Sequence, residues 1–441
     1  VTRLEVGGHR FLLRRTAHLL VRRDVRMLDD PLRAQSVSLT TGAVLAAVAL
    51  AGWAVFGALW PTARPGDGER VLIVRETGAV YVRIDRTWHP ATDLNSARLV
   101  AGSFVSPRAV DRRVVDTLPR GPSVGIPGAP AALGPQLGAD AAAWTVCTGT
   151  DTTVFVGVRP PAAAPLGPGR ALLVRTAERA PSYLVYRGRR AEVDLRDPAV
   201  VRALRLEGAV PQQVPPVLLD VLPELPPLAP PRIPGLGEPG AVAGHPVGTV
   251  LRVERADVTE FHLVLRDGVQ RVGPVTADLV RFGLGAALHT VEAGAIAAAP
   301  VVDTLPVHGH PDRAGVVAPA VVCAEWAAGT VRVWGADAPP PAPTVRLAQA
   351  DGPGPRVDAV GLPAGRSAYV RSATLAGAAE PAAPRFVVTD TGVAFGVADD
   401  AAAEALGLTD PVPAPWPVLA HLPRGPELSI AAASLVRDAA G

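Results

Sequence analysis

Thr41-Gly-Ala-Val-Leu-Ala-Ala-Val-Ala-Leu-Ala-Gly-Trp-Ala-Val-Phe-Gly-Ala-Leu-Trp60 decides how every other residue of this chain is read. No charged side chain falls between Arg33 and Arg64, and Leu39 to Trp60 is an almost unbroken apolar run. A helix crossing the roughly 30 Å hydrocarbon core of a bilayer takes about 20 such residues. The run is too long for a signal-peptide core. Pro61 and Arg64 come after it, with no small-x-small cleavage site close behind a short core, so the segment reads as a retained span. Gly42, Ala46, Ala47 and Gly52 are small enough to let a neighbouring helix approach closely, although such residues also simply fill apolar segments.

Orientation is set by the flanks. Residues 1–38 hold eight arginines against four acids, with Arg22, Arg23, Arg26 and Arg33 close to the span. Beyond it, Arg64 and Arg70 are offset by Asp67 and Glu69. The positive-inside rule predicts a cytoplasmic N-terminus and an exported remainder. The net charge of +2 gives no broad nucleic-acid surface, and no basic stripe interleaved with aromatics runs through the exported part. The chain contains no lysine. A Walker phosphate loop, a Schiff base and a Ser-x-x-Lys site all need one. The 47 prolines and 44 glycines fall between strand-like runs in a chain that is 48% hydrophobic and 4% aromatic, which predicts ordered small domains with stiff loops and no single large core.

Two cysteines, Cys147 and Cys323, lie in the exported part. An even count in an oxidising compartment predicts one intrachain disulfide. It would close a loop of 176 residues, for which the chain-entropy model gives an upper figure of roughly 5 kcal/mol.

The exported region repeats itself. Four stretches open with a strand-like run: Val71-Leu-Ile-Val-Arg75, Ala171-Leu-Leu-Val-Arg175, Val250-Leu-Arg-Val-Glu254 and Ser367-Ala-Tyr-Val-Arg371. Each has a second apolar run after a polar break, then a short helical pattern such as Val200 to Leu204, Ala277 to Leu284 or Asp399 to Leu406. Each reaches a Leu-Pro closing element, at Leu118-Pro119, Leu222-Pro223, Leu305-Pro306 and Leu422-Pro423, and the first and last share Leu-Pro-Arg-Gly-Pro. Two inserts interrupt the repeats, each with a cysteine near tryptophan (Trp144-Thr-Val-Cys147; Val321-Val-Cys323-Ala-Glu-Trp326) and a β-branched run after it. The order unit, insert, unit, unit, insert, unit predicts a pseudo-two-fold arrangement, with both inserts in one central sheet stapled by the disulfide.

Phe11-Leu-Leu-Arg-Arg15 and Arg26-Met-Leu-Asp-Asp-Pro-Leu-Arg33, directly before one span, resemble the EccB family, a membrane component of actinobacterial type VII (ESX) secretion systems. Trp88-His89-Pro90, Leu94-Asn-Ser-Ala-Arg-Leu99, Pro119-Arg-Gly-Pro122 and Gly125-Ile-Pro-Gly128 extend the resemblance over essentially the whole chain. It implies an elongated periplasmic arm of four repeats around a disulfide-stapled centre. It also implies a cytoplasmic helix beside the secretion ATPase EccC, with EccD, EccE and other EccB copies in the same inner-membrane assembly.

Other motifs weigh less. Gly121-Pro-Ser123-Val-Gly125 spells a hydrolase elbow, but that elbow needs a strand before the serine and a helix after it, and Ser123 sits between Pro122 and Pro127. Gly235-Leu-Gly237-Glu-Pro-Gly240 matches a dinucleotide fingerprint in letters only, so we read a linker. His308-Gly-His310 with Asp303 and Asp312 lacks a fixed third ligand and reads as an exposed loop. Phe11 to Arg23 reads as an amphipathic basic helix, with Phe11, Leu12, Leu19 and Leu20 on or near one side. Such a face suits anionic lipid or a partner helix. The resemblance favours the partner, with Phe11, Arg14, Arg15, Arg22 and Arg23 at the contact.

The expected fold is therefore mixed α/β: one N-terminal transmembrane helix, then an elongated, pseudo-two-fold exported domain of four small α/β repeats around a disulfide-linked central β domain. The expected bounds are 1–38 for the cytoplasmic segment and 39–60 for the span. Repeats occupy 66–130, 170–240, 241–308 and 365–441, and the central domain 131–169 with 309–364. The expected function is a non-enzymatic structural subunit of the secretion membrane complex, with no catalytic residue, cofactor or metal and no nucleic-acid partner. A periplasmic nucleotide hydrolase, an activity proposed in the family, and a membrane-tethered cell-wall-binding protein are the alternatives.

Overall fold

The computed structural model describes residues 3–23, 31–59, 65–66, 68–158, 165–255 and 258–438. Arg26 to Asp30, Trp60 to Arg64 and Asp67, all used in the sequence reading, lie outside the described residues, as does the side chain of Arg22. The chain divides into two compact units, 1–66 and 67–441.

In the first unit, Arg3–Arg22 and Pro31–Leu59 are helices. The second contains a 21-residue stretch, Gln35–Val55, of mean hydropathy 1.7 and with none of its length buried, long and apolar enough to cross a bilayer. Its Thr40 hydroxyl donates back to the Ser36 carbonyl at 2.8 Å, so it needs no water. The first helix differs from the single apolar face expected. At about 100° per residue, Leu4, Phe11, Leu12 and Leu19 fall on one side and Val6, Leu13 and Leu20 on the opposite one, with Arg3, Arg10 and Arg14 between. Leucines at both i+1 and i+7 spacings produce two apolar stripes, and Leu4, Phe11, Leu12, Leu13 and Leu20 are all more than half exposed.

The second unit contains the four repeats, and each takes one path. In the first, Val71–Val74 pairs antiparallel with Val80–Ile84, which pairs antiparallel with Thr87–Ala91. Helix Leu94–Ala101 then carries the chain to Arg108–Val110, parallel to the first strand on its free side, and a second short helix, Arg112–Val115, comes next. Leading helices in the others are Pro198–Leu204, Pro274–Leu284 and Asp400–Leu406. Aspartates start three of the four: Asp93, Asp197 and Asp399 accept from the N–H of Ser96, Ala199 and Ala402. The helix of the third repeat begins at Gly273-Pro274 instead, using proline at the first turn.

The closing proline has a structural meaning. Its carbonyl accepts from the first or second residue of the third strand: Pro119 from Trp88 at 2.9 Å, Pro223 from Arg190 at 3.0 Å, Pro423 from Ala394 at 2.9 Å. In the third repeat the Val269 N–H reaches Pro300 at 2.8 Å, so the closing element there is Ala299-Pro300 and not the expected Leu305-Pro306. What defines the position is the edge carbonyl reached after the second short helix, here Ala293–Ile296, and the preceding leucine is dispensable. The Gly of Leu-Pro-Arg-Gly-Pro is explained as well. A Cβ at Gly121 would fall on the His89 ring, and one at Gly425 on the Phe395 ring, each ring belonging to the third strand of its repeat.

Both inserts join one six-stranded sheet, ordered 330–336, 321–327, 143–148, 152–156, 359–361, 345–346. Its two hairpins meet through their first strands, antiparallel, with Cys323 opposite Cys147 and Trp326 opposite Trp144. The disulfide forms as expected, with Cα atoms 4.1 Å apart. Trp144 and Trp326 are fully buried, and their indole N–H groups donate to the Ala141 and Leu375 carbonyls, both at 2.9 Å. The tryptophan face packs against the sheets of repeats two and four, including Leu172, Val174, Val185, Val370 and Val388. Repeat three joins repeat two through Val275 and Leu279, which enter the core of Leu173, Leu184 and Leu204. Repeat one joins repeat four through Leu99 and Ile126, which pack with Tyr369, Val387 and Leu406. Contact therefore runs three, two, centre, four, one, with the central strand pair at the pseudo-two-fold. The chain's last strand, Val436–Arg437, pairs with Ser123–Val124 and extends the sheet of the first repeat.

Replacing both cysteines with alanine should lower unfolding free energy by about 2–5 kcal/mol. An unfolding midpoint in denaturant that is insensitive to reductant would contradict the staple.

Candidate functional site

The sequence candidates do not converge. Ser123 lies in a two-residue strand, and its hydroxyl donates to the Pro90 carbonyl at 3.3 Å. The nearby His89 Nδ1 is 2.9 Å from the Pro122 carbonyl, so neither side chain is directed at the other. No helix comes after Ser123; Gly125-Ile-Pro-Gly128 continues as a turn held by the Ile126 N–H donating to Ser96 Oγ at 3.0 Å. The three glycines at 235, 237 and 240 precede and enter a small hairpin, Pro239–Val242 with His245–Pro246, so this segment is an ordered element where a linker was expected. Its Ala241 N–H donates to the Leu265 carbonyl of the third repeat.

His308 and His310 take different partners. His308 Nε2 lies 2.9 Å from Asp303, His310 Nδ1 lies 2.9 Å from the Thr276 hydroxyl, and Asp312 accepts from Arg187 at 2.8 Å. Tyr186 donates to the Gly309 carbonyl at 2.8 Å, tying this loop to the second repeat, and burial pushes its phenol up to about 12. Among the described residues no three His, Cys, Asp or Glu side chains gather as metal ligands would.

Phe11, Arg14 and Arg15 are exposed on the helix Arg3–Arg22, and Arg23 comes directly after it with a left-handed backbone, φ 52°. Phe11 and Arg15 share one side, while Arg14 lies beside the stripe of Arg3 and Arg10.

Sequence reasoning missed the buried polar groups that hold the closing loops. Gln270 sits on the third strand of its repeat at 2% exposure and uses its whole amide. Its Nε2 donates to Asp303 and the Leu305 carbonyl, and its Oε1 accepts from the N–H of Thr304 and Leu305, all within 2.9–3.0 Å. Asp358, fully buried, accepts at 2.7 Å from the N–H of Thr152, Asp351 and Gly352, fixing the second insert to the first. Asp93 accepts from Ser96 N, Ser96 Oγ and Thr92 Oγ1, and Asn95 donates to Pro130. These bonds give Leu94-Asn-Ser-Ala-Arg-Leu99 its structural content. Arg424 lies over both Phe386 and Trp416, at 4.4 and 5.2 Å from their ring centres, and burial lowers its pKa. A lone buried Gln or Asp carries no spacing signal, so only the register of its strand reveals it.

Residues 1–441 match the family described as "Type VII secretion system ESX-1, transport TM domain B". The chain is 35% identical, over 99% of its length and 90% of the relative's, to the ESX-3 secretion system ATPase EccB3 of Mycobacterium tuberculosis. It is 36% identical, over 100% of its length and 91% of the relative's, to the protein of the same name from Mycolicibacterium smegmatis. Among solved structures, a chain of the intact ESX-5 inner membrane complex superposes with a TM-score of 0.73 at 32% identity, covering 100% of this chain and 96% of that one. The EccB3 dimer of the ESX-3 core complex gives 0.72 at 32% identity, over 83% of this chain and 100% of that one.

Two outcomes test these anchors. Gln270→Leu should cost about 3 kcal/mol, because three backbone groups lose their partner in a buried position; a urea midpoint within error of the unaltered chain would remove the clamp. Burial lowers the pKa of His262, against an opposing pull from Glu260, and also that of His310. The unfolded chain then binds protons more readily, so stability is full above the ordinary histidine value of 6.5 and is lost as pH falls below it. The double variant His262→Gln, His310→Gln should show a shallower fall in Tm between about pH 7.5 and about pH 5 than the unaltered chain.

Proposed function

The chain belongs to the EccB family of type VII secretion systems, and on that premise we propose that it is a structural subunit of an ESX inner membrane complex. The observation that carries this reading is the extent of the likeness: a chain of an intact inner membrane complex matches 100% of these residues, apolar helix and repeats together. In this reading the helix Pro31–Leu59 anchors the chain in the inner membrane, residues 1–33 lie in the cytoplasm, and the repeats organise the periplasmic part. The arginine excess before the span supports that orientation.

The helix Arg3–Arg22 contacts the secretion ATPase EccC, with EccD, EccE and other copies of this chain elsewhere in the assembly. Its two exposed apolar stripes support a partner on more than one side, since a helix that only lay on a membrane would need one. Phe11 with Arg15 forms one contact edge, and the arginines at 14, 22 and 23 add charge-assisted bonds.

The curated relatives carry the word ATPase in their names. The present chain has no lysine to reach a phosphate. Its polar candidates are engaged structurally: Ser123 with Pro90, His308 with Asp303, Asp358 with three backbone amides. These engagements support a scaffold.

Replacing Arg14, Arg15, Arg22 and Arg23 together with glutamine should reduce the EccC that co-purifies by about tenfold or more, as several charge-assisted contacts are lost at once. Ser123→Ala should leave secretion near normal, and purified chain should not hydrolyse ATP above background. Full recovery of EccC with the glutamine variant would make the helix a lipid anchor. Hydrolysis that co-purifies with the chain through successive steps would replace the scaffold with an enzyme.

A further inference from the structure

The leading helix of each repeat ends on a residue with a left-handed backbone. In repeats one, three and four that residue is glycine: Gly102 at φ 64°, Gly285 at φ 65° and Gly407 at φ 71°. Glycine suits the place because it has no Cβ to crowd the chain in that conformation. Repeat two puts Arg205 there instead, at φ 54°. A cation at the end of a helix gains from the dipole, but Arg202 already supplies one in the last turn without leaving the helical backbone. A strained residue where the other repeats hold glycine implies a use for its side chain.

Arg205 lines a cleft of about 860 Å³ between repeats two and three. Arg170, at the start of the strand Arg170–Arg175, and Arg313, in the loop after repeat three, line it too. Gly315 faces Arg170 in a parallel pairing, and a Cβ on Gly169 would lie 3.5 Å from the Arg313 Cβ, so the stem of Arg313 runs over the backbone just before Arg170. Among the described residues none of the three guanidinium groups has a hydrogen bond or an ion pair. Two acids share the lining, and each is engaged by an arginine from outside it: Asp278 by Arg281 at 2.9 Å, Asp312 by Arg187 at 2.8 Å. Glu207, two residues beyond Arg205, makes no ion pair with it.

All three arginines are exposed, so a single charge pair with any one of them is worth little. A ligand that meets all three needs several negative charges on a compact frame. A diphosphate carries them, with oxygens on every side that guanidinium forks bind two at a time, whereas one carboxylate engages one fork. The volume falls within the roughly 300–1,000 Å³ of small-ligand sites, which leaves room for whatever the diphosphate is attached to. We propose that this cleft binds a diphosphate group through Arg170, Arg205 and Arg313, either as free pyrophosphate or as the diphosphate of a larger ester. The site is built only from residues of the unit 67–441 and does not depend on the scaffold reading.

The test is calorimetric titration of the full chain in a neutral detergent with pyrophosphate, orthophosphate and ADP. Pyrophosphate should saturate one site per chain with a Kd below about 1 mM at low salt, and orthophosphate should bind about tenfold or more weakly. High salt should weaken both. ADP binding as tightly as pyrophosphate supports recognition of the diphosphate alone; ADP binding about tenfold tighter supports an ester as the ligand. Arg205→Gly separates the site from the fold. It should raise the unfolding midpoint without ligand, because glycine suits that backbone, and weaken pyrophosphate binding about tenfold. Arg170→Gln with Arg313→Gln should abolish binding, and Arg356→Gln, outside the cleft, should leave it unchanged. Absence of saturable pyrophosphate binding overturns the proposal, as does unchanged affinity in Arg205→Gly or a loss in Arg356→Gln. A lower unfolding midpoint in Arg205→Gly overturns it as well, since the arginine would then serve the fold. If the double variant fails to fold, Arg205→Gly decides alone.

Discussion

Cys147 facing Cys323 across the antiparallel strands 143–148 and 321–327 is the contact on which the unit of residues 67–441 depends. Bringing together segments 176 residues apart costs loop-closure entropy that grows only with the logarithm of the loop. The bond removes much of that cost from the folding equilibrium by restricting the unfolded chain. Once these strands pair, their two hairpins become four adjacent strands of one sheet, and its tryptophan face is a platform for repeats two and four. The outer repeats attach to the inner ones, so the staple fixes the placement of each repeat directly or through one neighbour.

The repeats meet that platform with one design and different chemistry. A carbonyl from the closing proline meets the third strand in all four, and proline suits the place because it has no N–H to leave unpaired. Packing around that proline differs from repeat to repeat. Rings of His89 and Phe395 lie over glycine in repeats one and four, whereas repeat three places Gln270 on its third strand and uses it to hold the next loop. Pseudo-symmetry is thus carried by backbone hydrogen bonds, and the side chains are free to diverge wherever each buried polar group finds a partner.

Sequence pattern alone identifies several things: an apolar helix long enough to cross a bilayer, because the run is charge-free over that length; four repeats, because strand runs recur with similar spacing; and the cysteine pair, because each sits at the same place in its insert. These are properties of short stretches and of counting. The amphipathic face of residues 11–23 was legible only in part, since a leucine-rich helix satisfies one-sided and two-sided patterns alike until its geometry is laid out. The motifs at Ser123 and His308 read as structural from their proline and glycine neighbours; in the fold Ser123 donates to the Pro90 carbonyl, His308 lies beside Asp303 and His310 beside Thr276.

Tertiary structure decided what register decides. Pro300 as the third closing proline, the clamp at Gln270 and the buried Asp358 all depend on which residue of one strand faces which residue of another, and a one-residue slip would reverse every face. The arginines at 170, 205 and 313 are scattered in the sequence and come to line one cleft only through a parallel pairing and the packing of repeat three on repeat two. The same holds for Val436–Arg437, whose place beside Ser123–Val124 joins the end of the fourth repeat to the sheet of the first. Local sequence sets the alternation and the caps of each element. Which elements become neighbours is set by burial and by backbone hydrogen bonds spanning hundreds of residues, and no short stretch of sequence contains that choice.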